Sequence, residues 1–228
     1  MRRYLLASLL MIAAGAGAQE LNQVGFTGGK TVAFLTFRTD QDILIRLSED
    51  GKLMEWGTAS LYPSNNNPYP ARLQAYPGRV EYYGNEYDST LRGKVKSIGA
   101  CNITYFPGSE NAMKAGKVRS IGRSFVDYYE QYDNAAFRGK VKQAGLFSFN
   151  YYAAYEDEAI RGKLKSVGTT NIQYYSSFDD KNIRGKLKSI GSFSYTWYTQ
   201  TDSRGYPGTL KSGAITQSIS GVNYLLIM

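Results

Sequence analysis

Apolar and polar positions alternate along this chain in short bursts. Val80-Glu81-Tyr82-Tyr83 is the first of one kind. It returns as Ile103-Thr104-Tyr105-Phe106, Val126-Asp127-Tyr128-Tyr129, Phe149-Asn150-Tyr151-Tyr152, Ile172-Gln173-Tyr174-Tyr175 and Tyr195-Thr196-Trp197-Tyr198, always 23 residues apart. A second burst, Arg92-Gly93-Lys94-Val95-Lys96-Ser97-Ile98-Gly99, recurs in the same register. Its leading glycine falls at 93, 116, 139, 162, 185 and 208. A fixed period without insertions is the mark of a repeat protein. Each burst is rich in Val, Ile, Tyr or Phe and bounded by Gly, so each predicts a short strand.

Two strands per repeat make the chain all-β. Alternation places Val80, Tyr82 and their equivalents on a buried face, and Glu81, Thr104, Asp127, Asn150, Gln173 and Thr196 on a wet one. In the other burst Val95 points inward, and Lys94 and Lys96 are both expected to point outward. Ile98 then falls on the wrong face for a regular strand, which predicts a bulge beside Gly99.

The expected architecture is an antiparallel meander of two-strand repeats, its sheet open, rolled or closed. A β-solenoid is the alternative. It would stack Lys96, Arg119, Lys142, Lys165, Lys188 and Lys211 about 4.8 Å apart as one cationic ladder, an unfavourable arrangement. A meander separates the same residues by about 9.6 Å, with another strand between them. The rhythm Gly162-Lys163…Gly168…Tyr174-Tyr175 resembles the MORN repeat. That resemblance implies β-hairpin units, and no function is carried over from it.

Three regions follow. Residues 1–18 read as a secretory signal: Arg2 and Arg3, an apolar run Leu5–Ala14, then the small-residue site Ala16-Gly17-Ala18. The run is shorter than the roughly 20 residues of a spanning helix. Residues 19–78 precede the array as a β cap, with strands expected at Thr31–Arg38, Ile43–Leu47 and Lys52–Trp56 and a turn at Glu49-Asp50-Gly51. A Pro/Asn-rich loop spans Tyr62–Pro70. Residues 79–228 hold the array, closed by strands in 215–228.

Composition narrows the chemistry. The chain has no histidine and one cysteine, Cys101, which excludes an intrachain disulfide and a Cys-based zinc site. Cys101 shares its repeat column with Ser124, Phe147, Thr170 and Phe193 and reads as a small buried hydrophobe. No phosphate loop, nucleophile elbow or zinc motif occurs. Carboxylates at Glu156–Glu158 and Asp179–Asp180 have the chemistry of a glycoside hydrolase or a calcium site. They recur in equivalent loops in varying number, as turns do and a singular catalytic pair does not. No catalytic residue, metal or cofactor is expected, and the chain reads as a non-enzyme.

Charge and aromatics supply the candidate binding residues. The net charge is +8, or +6 once Arg2 and Arg3 leave with the signal. A basic exported protein suits an acidic polysaccharide or another anionic envelope polymer rather than nucleic acid. The second aromatic of each repeat, Tyr83, Phe106, Tyr129, Tyr152, Tyr175 and Tyr198, shares the polar face. As architecture these rings are cross-strand packing under lysine stems. As a binding surface they are platforms for sugar rings at about 9.6 Å intervals, flanked by Lys96, Lys142, Lys165 and Lys188. The expected protein is therefore secreted, periplasmic or envelope-bound, with a structural or glycan-binding function. An outer-membrane β-barrel is the second reading, and an envelope enzyme using loop carboxylates the third. No transmembrane helix is expected, and an open sheet invites edge-to-edge self-association.

Overall fold

The structure, a computed structural model, describes residues 20–59, 73–85 and 88–228. The expected signal segment, residues 1–18, and the expected loop at Tyr62–Pro70 lie outside the described residues. All regular structure among those described is β, in twenty strands.

Eleven strands form one sheet in strict chain order, from Val80–Tyr82 to Phe193–Ser194. Every neighbour is antiparallel, as between Ser124–Tyr128 and Val141–Ala144. The sheet is the expected meander, and it is open: its two end strands do not pair with each other, so no closed barrel forms among the described residues. Thr196–Trp197 and Leu210–Ser212 repeat the same pairing as a separate ribbon.

Within a repeat the strands join through two residues. Ser124 pairs with Ile121 across Gly122-Arg123, and Gly122 has φ of 53°. A glycine at the first central position supplies the positive φ that a tight hairpin turn of this length demands.

A bulge corrects the register as expected, but at Lys96, not beside Gly99. Glu81 pairs with Ser97 and Tyr82 with Val95, which leaves Lys96 unopposed. The same slip falls at Arg119, Lys142, Lys165, Lys188 and Lys211. The unpaired residue of each of these six bulges is basic. One extra residue puts Val118 and Ile121 on the same face, and both are fully buried.

The N-terminal segment does not cap the array's end. Strands Glu20–Thr27, Thr31–Arg38, Leu44–Leu47, Leu53–Thr58 and Gln74–Ala75 form a second sheet, of which the first was not apparent in the sequence pattern. The strands Thr216–Ile219 and Val222–Ile227 do not close the array either. They complete this second sheet, with Val24 beside Tyr224 in parallel register.

The second sheet lies across the array's inner face. Val118 N and Val141 N donate to Gly51 O (3.2 Å) and Glu49 O (2.9 Å), and Leu187 N donates to Gly29 O (2.7 Å). At the opposite margin Ala100 N donates to Gln41 Oε1. The reason is the apolar column itself. Ile103, Val126, Phe149 and Ile172 run the length of the array and need cover along all of it. They share one core with Leu35, Phe37, Ile45 and Leu47.

Candidate binding surface

The aromatic column singled out in the sequence is a set of staples between repeats. The hydroxyls of Tyr83, Tyr129, Tyr152 and Tyr175 donate to the carbonyls of Ile103, Phe149, Ile172 and Tyr195, each twenty residues on, at 2.8–3.1 Å. The rings of Tyr83, Tyr129 and Tyr152 also meet the first aromatic of the next repeat edge-on. Tyr129 and Tyr151 have centroids 5.9 Å apart, and Tyr152 and Tyr174 are 6.0 Å apart. Phe106 is buried and packs on Tyr128 in the same way. The bulge cations cover these rings: Arg119 over Phe106, Lys142 over Tyr129, Lys165 over Tyr152, Lys188 over Tyr175 and Lys211 over Tyr198, at 5.0–5.8 Å from the centroids. Tyr83 and Lys96 hold the equivalent places in the first copy. A T-shaped pair contributes roughly 0.5–1.5 kcal/mol beyond area burial, and an exposed cation–π contact about 0.5–1 kcal/mol. With hydroxyl and ring engaged inside the fold, the column is not the row of open platforms that alternation suggested.

The other lysine column also departs from expectation. Lys94, Lys117, Lys140, Lys163 and Lys186 turn back over the first aromatics, 4.2–5.4 Å from the centroids of Tyr105, Tyr128, Tyr151, Tyr174 and Trp197. Three donate to carbonyls one repeat on, Gly116 O, Gly139 O and Gly162 O; Lys163 and Lys186 donate to Lys30 O and Gly28 O of the second sheet. A buried ammonium needs such acceptors, and the nearest lie in the adjoining loops.

The loop acids are turn-forming groups. In the last four loops one carboxylate clasps the backbone three residues before it. Asp133 accepts from Glu130 N and Asp179 from Ser176 N, both at 2.6 Å, and Asp202 from Thr199 N at 2.7 Å. The next polar residue bonds both its own loop and the following one. Asn134 accepts from Ala136 N and Ala154 N, Asp157 from Ala159 N and Ser177 N, and Asp180 from Asn182 N and Gln200 N. The Ser177 hydroxyl and these N–H groups hold Asp157 below the ordinary carboxylate range. The backbone N–H of Asn182, first among its partners, does the same for Asp180. A carboxylate spent on three donors and kept ionised is poorly suited to general-acid work.

What the clasp presents is an aromatic ladder that the sequence reasoning missed. Tyr132, Tyr155 and Phe178 precede the clasping acid in three consecutive loops and are 90%, 87% and 94% exposed. Their positions are again 23 apart, so the rungs stand about 9.6 Å from one another, two strand widths. The ladder is confined to the middle repeats, since the equivalent residues are Ser109 and Thr201. These large apolar side chains stand exposed and in register on one margin. The bulge lysines border it: Lys165 Nζ lies 3.0 Å from the carboxylate of Glu156, next to Tyr155. Lys142 and Lys188, in the flanking repeats, form no ion pair among the described residues.

Cys101 is 2% exposed, and burial pushes its thiol up to about 11. Among the described residues no group of three or more His, Cys, Asp or Glu could hold a metal ion, and no helix is long and apolar enough to cross a membrane. No protein-family model, curated protein or solved structure matches this chain.

Proposed function

We propose that this is an exported, non-catalytic β-repeat protein that binds an extended glycan bearing acidic groups. The observation that carries the reading is the ladder Tyr132–Tyr155–Phe178 on a braced scaffold. Aromatic faces stack on the apolar faces of sugar rings, and a tyrosine tip adds a polar handle. A spacing of about 9.6 Å suits every second sugar of an extended β-linked chain. Lys142 and Lys188 add cations beside the rings, which favours an anionic polymer. Repeat-to-repeat clasps hold the rungs in place before ligand arrives, which lowers the ordering cost of binding.

The test is retention of the purified protein on soluble and insoluble polysaccharides and on peptidoglycan, beside a triple variant Tyr132→Ala, Tyr155→Ala, Phe178→Ala. These side chains touch little, so the variant keeps the parent's melting temperature. Binding by the parent that the variant lacks supports the reading. Equal retention of both, or none by the parent, overturns it.

A further inference from the structure

The second sheet covers the array unevenly, and the gap has the chemistry of an anion site. Its two docking turns reach Val118 and Val141 on one side and Leu187 on the other. The repeat between, at Leu164, receives no turn carbonyl. The 23-residue register directs the Leu164 N–H the same way as those of Val141 and Leu187, towards the second sheet.

A crevice of about 430 Å³ opens there, lined by Lys30, Glu49, Lys140, Glu158, Arg161, Lys163, Leu164 and Tyr174 among others. Tyr174 differs from its neighbours in the column. Tyr128 and Tyr151 donate to Val118 O and Val141 O, and the Trp197 indole donates to Leu187 O. The Tyr174 hydroxyl has no partner among the described residues, although the residue is only 6% exposed. A buried hydroxyl without a partner costs about 1–3 kcal/mol unless a ligand or water supplies one.

The charges at the crevice do not balance. Glu49 is taken by Lys140 at 2.9 Å, and Glu158 faces Arg161 at 3.9 Å. Lys163 and Lys30 form no ion pair among the described residues, and Glu49, already held by Lys140, attracts Lys163 only from a distance. The Lys163 ammonium lies 5.4 Å from the centre of the Tyr174 ring and is held by the Lys30 carbonyl at 2.7 Å. Burial, then the neighbouring Lys30, push Lys163 down to about 8 against the opposing attraction of Glu49.

We infer that this crevice binds a small molecule through an oxyanion group, phosphate or carboxylate, received by Lys163, Lys30, the Tyr174 hydroxyl and the Leu164 N–H. The anion supplies the acceptor that Tyr174 lacks and the counter-charge that the two lysines lack. This site is separate from the aromatic ladder and does not rest on the glycan reading.

The experiment titrates the ¹⁵N-labelled protein with inorganic phosphate and, in parallel, with acetate, chloride serving as the ionic-strength control. Saturable shifts centred on the amides of Leu164 and Tyr174 are expected with phosphate or acetate, and the tighter of the two names the head group. Tyr174→Phe, which keeps the ring, weakens binding about tenfold, the contribution of one hydrogen bond to a charged group. Lys163→Gln abolishes it, while the ladder triple variant binds as the parent does. No saturable shift at Leu164 with either anion, or unchanged affinity in both crevice variants, overturns the assignment. The parent titration stands even where a variant fails to fold.

Discussion

The Tyr152 hydroxyl donates to the carbonyl of Ile172 at 2.8 Å, and that bond ties one repeat to the next. Tyr152→Phe removes the bond and keeps the ring under Lys165. Equilibrium urea unfolding should show a loss of about 1 kcal/mol, the net worth of one such bond. Phe106 fills the same column without a hydroxyl, so the loss is tolerable. A loss near zero would mean that the carbonyl finds water instead.

Gly139 and Gly162 share φ of 74°, yet alanine should be received differently at the two. A Cβ at Gly139 meets the Lys117 ammonium at 2.9 Å, the tip of a flexible side chain. At Gly162 it meets the backbone carbonyl of Ala136 at 2.8 Å, which cannot step aside. Gly139→Ala should cost about 1–2 kcal/mol, the left-handed penalty for a residue with a Cβ. Gly162→Ala should cost clearly more. Melting temperatures of the two variants decide it, and equal values would contradict the contact geometry.

Acid should loosen the loop margin first. The Thr90 hydroxyl bonds Asp88, the Ser177 hydroxyl Asp157 and the Asn182 N–H Asp180, and each carboxyl is held below its ordinary 3.8. Lys211 holds Asp202 down to about 2. A carboxylate with a depressed folded pKa contributes stability that is present above its unfolded pKa and lost as pH falls through the folded one. Stability should therefore be level near neutrality and decline from about pH 4 towards pH 2. Asp157→Asn keeps an acceptor, as Asn134 does naturally, and should shallow that decline with little change at pH 7. Thermal melts at pH 7 and pH 3 check both statements.

Cys101 should be silent towards thiol reagents in the folded protein. The thiolate is the reactive form, and a buried thiol raised to about 11 supplies almost none at pH 8. Modification by an aromatic disulfide reagent should follow unfolding, at a rate that rises with urea. Rapid labelling of the native protein would show that the Ile98–Cys101 hairpin opens locally.

Much of the array is legible in the chain. Period-two alternation identifies Ile103, Val126, Phe149 and Ile172 as core, and all four are at most 1% exposed. Charge repulsion in the Lys96 column separates meander from solenoid. The bulge is legible as a need, but its place is not: glycine at 99 signals backbone freedom that the hairpin turn uses, while a basic bulge residue carries no such signal. The polar-face tyrosines mislead because alternation reports which face a residue is on, not whether a neighbouring loop covers it. The exposed ladder leaves a readable trace, aromatic residues at 132, 155 and 178 in one column of the repeat. Exposure in a loop has no periodicity to announce it, since the turn clasp sets the direction of the side chain. The pairing of Val24 with Tyr224 is furthest from view, being a parallel contact between segments at opposite ends of the sequence.

Repeat arrays ordinarily lengthen and shorten by whole units at little cost, because each unit touches only its neighbours. This one has a fixed gauge laid against it. The Glu49–Gly51 turn engages the repeats at Val118 and Val141, the Gly29 turn engages the one at Leu187, and both turns hang from a single sheet. Duplicating one 23-residue unit between those anchors would move them apart by about 9.6 Å, two strand widths, and no slip of the covering sheet could keep both engaged. Gene duplication, the process that ordinarily sets the length of such arrays, is checked here at the level of the folded protein, so the number of units is a measured dimension of the molecule.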